Sequence, residues 1–136
     1  KKHNLEENTE INGFVKLTEV PRILNESSVV LVFSNKTEEN GTKGIMTTKF
    51  FEALGCERPV LCVRSDEGCL EEAIKTTKAG VAARTVEDAE NFIRAKYEQW
   101  LADGCTTQEL NKTEKEKFSR EKQAEQFAEL VESLRR

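Results

Sequence analysis

The sequence predicts an α/β fold in which a parallel β-sheet carries helices on both faces. Short runs of β-branched and aromatic residues alternate along the chain with longer segments of helical periodicity, which is typical of parallel sheets. One run, Val29–Phe33, is apolar at every position, as expected of a strand buried on both faces. The 136 residues are enough for one core and too few for two, so we expect a single domain over residues 1–136.

The first half of the chain is predicted to hold two strands and two helices. Residues 10–15 alternate polar and apolar side chains and predict a short strand. Thr18 is then a suitable N-cap for a helix that has a proline in its first turn. The run Val29–Phe33 follows as a central strand. A second helix is predicted from Ile45 to about Leu54, because apolar side chains recur there at helical spacing and a glycine follows.

Two further strands are predicted at Pro59–Val63 and Gly80–Ala83, which are both short and apolar. Between them, Asp66 or Glu67 together with Gly68 is expected to open a helix, because short acidic side chains and glycine favour helix starts. The acidic residues of this segment are interpreted as surface residues that favour the helix dipole, and not as an acid/base pair.

Two helices are predicted after the last strand. Thr85 is a good N-cap with Asp88 three residues on, and the apolar spacing that follows predicts a helix with Tyr97 and Trp100 in its core-facing stripe. The segment Thr113–Arg136 has near-helical apolar spacing behind a highly charged first half, and it predicts one long C-terminal helix.

Composition excludes several classes of function. The net charge of −4 lacks the basic surplus of a nucleic-acid binder, so no nucleic-acid partner is expected. The longest apolar run is far shorter than a bilayer span, and the N-terminus has no signal-peptide core, so a cytoplasmic protein is predicted. The four cysteines show no C-x2-C pair and the chain has a single histidine, so we expect reduced thiols and no metal site.

The helix predicted at residue 45 follows a polar loop, residues 34–44, that is long for a compact domain. In parallel sheets the ligand crevice lies at the carboxyl ends of the strands, where such loops leave. A helix that starts at Gly44 and Ile45 presents unpaired N–H groups and the positive end of its dipole, which favour a phosphate. The pattern predicts a phosphate cradle in outline, although it lacks the spacing of a P-loop.

Lys49 and Glu52 lie three residues apart on this helix, so their side chains are neighbours. Two interpretations follow from the spacing. The two side chains form an exposed ion pair with each other, or both contact a ligand that needs a cation and a hydrogen-bond acceptor. In the second case Lys49 lies beside phosphates and Glu52 accepts hydrogen bonds from two hydroxyl groups of a ribose.

The segment T-T-K-F-F-E-A-L-G-C-E-R-P-V-L, residues 47–61, is similar to the K-x2-E-(Y/A)-(L/M)-x-x-G-x-P-(V/I)-(L/I) signature of GT-B glycosyltransferases of family 4, or group 1. From about residue 9 to the end, the order of motifs resembles the C-terminal half of these enzymes, the half that binds the nucleotide sugar. The resemblance implies a Rossmann-like parallel sheet with flanking helices and a long C-terminal helix. It also implies that the first strands of that half would lie before Lys1.

The resemblance implies a donor site. Glu52 stands where the second glutamate of the family's E-x7-E motif holds the ribose hydroxyls. The first glutamate would fall at position 44, which is Gly44 here. The residues implied to contact the donor diphosphate and sugar are Lys49, Gly44, Ile45, Met46, Thr47 and Thr48. Those implied to contact the nucleotide base are Val15, Lys16 and Leu17.

The implied function is that of a retaining glycosyltransferase, which moves a sugar from a nucleotide-diphosphate donor to a hydroxyl acceptor in surface polysaccharide or glycoconjugate synthesis. The implied enzyme needs no metal or other cofactor. Its N-terminal, acceptor-binding domain is missing from these residues, so the 136 residues alone are expected to bind donor weakly and to catalyse nothing. The whole enzyme is expected in the cytoplasm or at the inner face of the membrane.

Two alternatives accompany this interpretation. An exposed sheet edge, left by the missing strands, favours pairing with a second copy of the chain. A different class of function, a non-catalytic Rossmann-like or flavodoxin-like module for interaction or regulation, also fits the fold. A phosphoacceptor module of that type needs an aspartate after its central strand, and Ser34 follows Phe33 instead.

Overall fold

A computed structural model describes residues 5–34 and 46–135 of the chain. It has a three-stranded parallel sheet flanked by helices, as the sequence predicts. The strands are β1 Val30–Phe33, β2 Val60–Val63 and β3 Gly80–Ala83. The helices are α1 Val20–Glu26, α2 Thr48–Gly55, α3 Cys69–Thr77, α4 Val86–Asp103, α5 Lys112–Glu116 and α6 Arg120–Ser133, with short 3-10 turns at Glu6–Asn8 and Leu17–Glu19.

The central strand of the sheet is β2, because the strands are ordered β1-β2-β3 and Val60 pairs with Val30 on one side and Gly80 on the other. The prediction of a central strand at Val29–Phe33 is wrong within the described residues, where β1 lies at an edge. The burial of β1 alternates accordingly, with Val32 inaccessible and Phe33 72% exposed.

The strand predicted at residues 10–15 is also absent from the described structure. The chain is irregular there, and Ile11 and Phe14 are fully or almost fully exposed. An alternating segment becomes a strand only where a neighbouring strand supplies a hydrogen-bond ladder and an apolar face, and β1 supplies neither to these residues. Because residues 10–15 form no strand beside β1, β1 lies at the edge of the described sheet.

Helices α2 and α3 cover one face of the sheet. Both β-α-β connections join neighbouring parallel strands, and right-handed crossovers place both helices on the same side. One core fills the space between them and the sheet. Its members are Val30, Val32, Phe50, Ala53, Leu54, Val60, Cys62, Leu70, Ala73, Ile74 and Ala79. The helix predicted after Gly68 is therefore confirmed, as is its apolar side.

Helix α4 covers β2 and β3 on the opposite face, where Leu61 is buried. The capping box predicted at its start is confirmed, since the Asp88 N–H donates to the Thr85 hydroxyl at 3.1 Å. The predicted burial of Tyr97 and Trp100 is wrong: they are 58% and 45% exposed and stack on each other. Helix α4 is rotated about its axis so that a different side faces the sheet. Its apolar side chains therefore lie beside the contact with the sheet and not within it.

The C-terminal segment forms two helices, α5 and α6, and not the single long helix predicted from Thr113. The longer of the two, α6, begins at Arg120. Phe118 turns inward between α5 and α6 and packs against Phe50 and Phe51 of α2. The Ser119 hydroxyl then caps α6. None of the residues of α6 is buried, so its apolar side chains pack on no core.

Helix α1 forms where predicted, but its N-cap is Glu19 and not Thr18, which lies in the preceding 3-10 turn. No side-chain hydrogen bond caps this end. In the described residues no helix is both long enough and apolar enough to cross a membrane.

Candidate functional site

The candidate site lies where α2 begins, at the carboxyl edge of the sheet. Helix α2 connects β1 to the neighbouring parallel strand β2, so it runs antiparallel to both strands and starts beside their carboxyl ends. The same reasoning places the starts of α3 and α4 along this edge. The edge therefore brings together three helix N-termini, each with its positive dipole end.

Lys49 and Glu52 occupy the first two turns of α2, and both are exposed. The neighbouring positions Phe50, Ala53 and Leu54 are buried, so the helix is fixed with its core-facing side inward and these two side chains outward. Among the described residues, no ion pair joins Lys49 to Glu52 or engages either of them. Of the two interpretations of their spacing, the exposed ion pair is not formed in this structure.

The first turn of α2 is loosely capped. Thr47 is the N-cap, and its hydroxyl accepts the Lys49 N–H at 3.4 Å, which is long for such a bond. Thr48 is the first helical residue and is exposed, whereas Met46 is half-buried and packs against the core. Gly44 and Ile45, the other predicted donor-contacting residues, lie outside the described residues.

The residues predicted to contact the nucleotide base lie far out on the surface. Val15 and Lys16 are exposed and irregular, and Leu17 begins a 3-10 turn with 79% of its side chain exposed. No strand precedes them in the described structure. Their role in binding the base stays a prediction.

The loop between β2 and α3 is held at the same edge by Asp66, which is almost completely buried. Its carboxylate accepts hydrogen bonds from three backbone N–H groups at the start of α3, those of Gly68, Leu70 and Glu71, at 2.9–3.0 Å. Burial alone raises the pKa of Asp66, but these backbone bonds outweigh it and lower the pKa below its ordinary value of 3.8. Asp66 is therefore a charged cap of α3.

A second set of contacts joins three elements of the edge. Arg84, which follows β3, donates from Nε and Nη2 to the two carboxylate oxygens of Glu71 on α3, at 3.0 and 2.6 Å. The hydroxyl of the buried Ser65, after β2, donates to the same carboxylate. The Arg84 and Ser65 hydrogen bonds lower the pKa of Glu71. We call these three residues the edge network.

The edge network was missed by the sequence analysis, which interpreted Glu71 only as a surface residue near a helix start. Glu71 and Arg84 are 13 positions apart and lie on different elements, so no local spacing signals the pair. The two parallel hydrogen bonds from Arg84 to Glu71, together with the bond from Ser65, connect the ends of β2 and β3 to the start of α3. The network positions the edge, and its side-chain contacts in the described structure are made within the chain.

Acid should weaken this edge. Because the folded pKa values of Glu71 and Asp66 are depressed, their contribution to stability is present above the ordinary values of 4.5 and 3.8 and is lost as the pH falls through the lower folded values. We expect the thermal midpoint of Glu71→Gln to be lower than that of the wild type near neutral pH and to change less on going to about pH 3. Circular dichroism melts measure both.

The control is Glu72→Gln, since Glu72 is exposed on the same helix and lies outside the edge network. It should keep the wild-type midpoint at neutral pH. An unchanged midpoint and an unchanged pH dependence in Glu71→Gln would contradict the assigned role of the network.

The cysteine of β2 is not available as a nucleophile at the edge. Cys62 is completely buried in β2, and burial, followed by the charges of Asp66 and Glu71, raises the pKa of its thiol to about 11. All four cysteines are free thiols, as predicted. Within residues 5–34 and 46–135 no three His, Cys, Asp or Glu side chains are grouped as metal ligands would be. The expectation of a metal-independent site stays a prediction.

Comparison with known proteins identifies the class of this chain. A family model described as "Glycosyl transferase-like" matches residues 2–133. The chain therefore belongs to the glycosyl transferase-like family, as a C-terminal domain of the group 1 type. No significant match was found among curated proteins or among solved structures. Membership implies transferase activity with a sugar donor and an acceptor in general terms.

Proposed function

We propose that this domain binds the nucleotide-diphosphate sugar of a retaining glycosyltransferase that transfers the sugar to a hydroxyl acceptor. The observation that carries the proposal is the position of Lys49 and Glu52, exposed on the first two turns of α2 at the carboxyl edge and not paired with each other. A cation and an acceptor are thus free for a ligand at the edge where parallel sheets bind nucleotides. We place the transfer in surface polysaccharide or glycoconjugate synthesis, on the resemblance alone.

The diphosphate would lie at the start of α2. The Lys49 ammonium and the first-turn N–H groups favour negative charge there, and the long Thr47 cap bond leaves the Lys49 N–H open to a better acceptor. When the donor bond breaks, negative charge grows on the departing diphosphate, and these fixed groups stabilise it. In this proposal they take the part that a metal ion takes in other transferases.

The ribose would lie one turn further along α2, against Glu52. Its carboxylate accepts up to two hydroxyl hydrogen bonds, which suits the neighbouring hydroxyls of a ribose. Because Phe50, Ala53 and Leu54 fix the rotation of the helix in the core, Glu52 lies on its exposed side, about one turn from Lys49. We propose that groups for the acceptor come from a second domain of the enzyme.

Ligand-observed NMR on the 136-residue chain tests donor binding. The panel contains UDP, GDP, ADP and CMP together with a sugar conjugate of each. We expect one nucleoside diphosphate to bind selectively at millimolar concentration, with CMP, which has a single phosphate, among the weaker ligands. Selective binding would also identify the base.

Failure of every nucleotide to bind at millimolar concentration would contradict donor binding by this chain. The same panel on the full-length enzyme then separates two causes. Binding there would show that other elements supply the affinity, whereas no binding would favour a domain that only scaffolds, which the glycine at position 44 also allows.

A further inference from the structure

The carboxyl edge of the sheet has a second exposed cation besides Lys49. Arg64 is the first residue after the central strand β2, and its side chain is exposed. In the part of the chain that the structure describes, its guanidinium takes part in no ion pair and no hydrogen bond. The neighbouring arginine, Arg84, is bound by Glu71. Of these two arginines, only Arg64 has its guanidinium available for a ligand.

The backbone at Arg64 is held from both sides. The N–H of Ser34, which follows β1, donates to the Val63 carbonyl oxygen at 3.3 Å. The N–H of Ser65 donates to the carbonyl oxygen of Ala83 in β3 at 2.8 Å. These two bonds continue the ladder of the sheet on either side of Arg64. A cation on a backbone fixed in this way loses less conformational freedom on binding than one on a free loop.

The carboxylates that follow Arg64 in the chain do not neutralise it. Asp66 accepts three backbone N–H groups at the start of α3, and Glu71 belongs to the edge network. Glu67, between them, is not free either. Because these carboxylates bind other groups, an anion that approaches Arg64 does not have to displace an internal ion pair.

Arg64 and Lys49 lie on neighbouring parts of the same edge. Helix α2 packs on both β1 and β2 and starts beside their carboxyl ends, so its start and the end of β2 are about one packed layer apart, roughly 10 Å. Lysine and arginine side chains are long enough to approach one small anion from these two positions. Two cations on either side of an anion suit a diphosphate better than a single phosphate.

We propose, on the basis of the proposed donor site, that the Arg64 guanidinium binds the sugar-bearing phosphate of the donor, while Lys49 binds the phosphate next to the ribose. Arginine forms two parallel N–H···O bonds with one phosphate, whereas lysine acts as a point charge. When the bond between the sugar and this phosphate breaks, its electron pair stays on the phosphate oxygen. The added negative charge then lies beside Arg64, which stabilises it.

NMR titrations of the complete chain test this contact with matched nucleotides: UDP and UMP, GDP and GMP, and ADP and AMP. For the pair that contains the selected base, Arg64→Ala should raise the dissociation constant of the diphosphate about tenfold or more. The constant of the monophosphate should change less than about twofold, because the monophosphate lacks the group that Arg64 binds. Arg64→Lys keeps the charge but not the paired bonds and should lie between the wild type and Arg64→Ala.

Arg58→Ala is the matched control. Arg58 is half-buried and lies shortly before β2, at the amino edge of the same strand, so its loss should leave both dissociation constants unchanged. Circular dichroism checks that each variant folds. Two results would overturn the role of Arg64 while leaving donor binding intact: an unchanged affinity of Arg64→Ala for the diphosphate, or an equal loss for the diphosphate and the monophosphate.

Inorganic pyrophosphate separates this contact from the rest of the donor site, because it has two phosphates and no nucleoside. If the wild type binds no nucleotide, the proposed function fails, and the pyrophosphate titration still decides the role of Arg64. Pyrophosphate binding that is weakened in Arg64→Ala and kept in Arg58→Ala would support the contact. Pyrophosphate that binds neither protein, or binds the wild type and Arg64→Ala equally, would overturn it.

Discussion

Gly80→Ala is expected to prevent stable folding. Gly80 begins β3 with φ +156°, and a Cβ built there lies 1.9 Å from the carbonyl oxygen of Val60 on the neighbouring strand. That oxygen is part of the backbone of the central strand, so it cannot move away without breaking the sheet. The cost combines backbone strain with overpacking, and we expect a loss of more than about 4 kcal/mol in the free energy of unfolding.

Urea denaturation followed by circular dichroism measures this loss. The matched control is Gly55→Ala at the end of α2, where a Cβ would meet no atom within 4 Å. Alanine is the better helix former, so Gly55→Ala should be neutral or more stable by up to about 1 kcal/mol. Equal stability of the two alanine variants would contradict the strand packing described here.

Glu52→Ala and Lys49→Ala should both weaken binding of the nucleoside diphosphate found in the NMR panel. Hydrogen bonds to a charged group contribute about 1.5–3 kcal/mol, so the loss of Glu52 should raise the dissociation constant by about 10- to 100-fold. Lys49 is exposed and contributes mainly charge, so we expect a smaller rise of about 5- to 20-fold that shrinks as salt is added. Chemical-shift titrations give both constants.

Lys75→Ala and Glu98→Ala are the matched controls for these variants. They remove a lysine and a glutamate side chain, as the site variants do, but from exposed positions near the C-terminal end of α3 and in the second half of α4. Both positions lie away from the carboxyl edge. Neither should change the dissociation constant. If the two control variants weaken binding as much as Lys49→Ala and Glu52→Ala do, the effect does not come from a site on α2.

Much of the fold could be predicted from local signals. The strands β2 and β3 are short apolar runs, the Thr85 capping box marks the start of α4, and the apolar side of α3 is buried as its spacing requires. These features depend on residues within one turn or one strand of each other. A single sequence contains that information.

The errors concern contacts between distant parts of the chain. The alternation of residues 10–15 fits a strand, but a strand needs a partner, and the described residues offer none. The apolar side chains of α4 fit a core stripe, yet the helix docks by a different side and leaves Tyr97 and Trp100 exposed. Periodicity shows that a helix has an apolar side, but it does not show which neighbouring element covers that side.

The candidate site likewise has a part that local sequence signals predict and a part that they do not. Lys49 and Glu52 were found from their spacing and from the family signature, both of which are local. The partnership of Glu71 with Arg84 and Ser65 joins three elements and depends on the register of the sheet. Sequence reasoning could identify the pair that we propose as ligand contacts, but not the network that holds the edge around it.

The most direct test of the central claim, that Glu52 accepts the ribose hydroxyls of the donor, is a comparison of two ligands on two proteins. The dissociation constants of the selected nucleoside diphosphate and its 2′,3′-dideoxy counterpart are measured for the wild type and for Glu52→Ala. The account predicts that removal of the hydroxyls weakens binding to the wild type by about tenfold or more and hardly affects the variant. An equal loss in both proteins would contradict it.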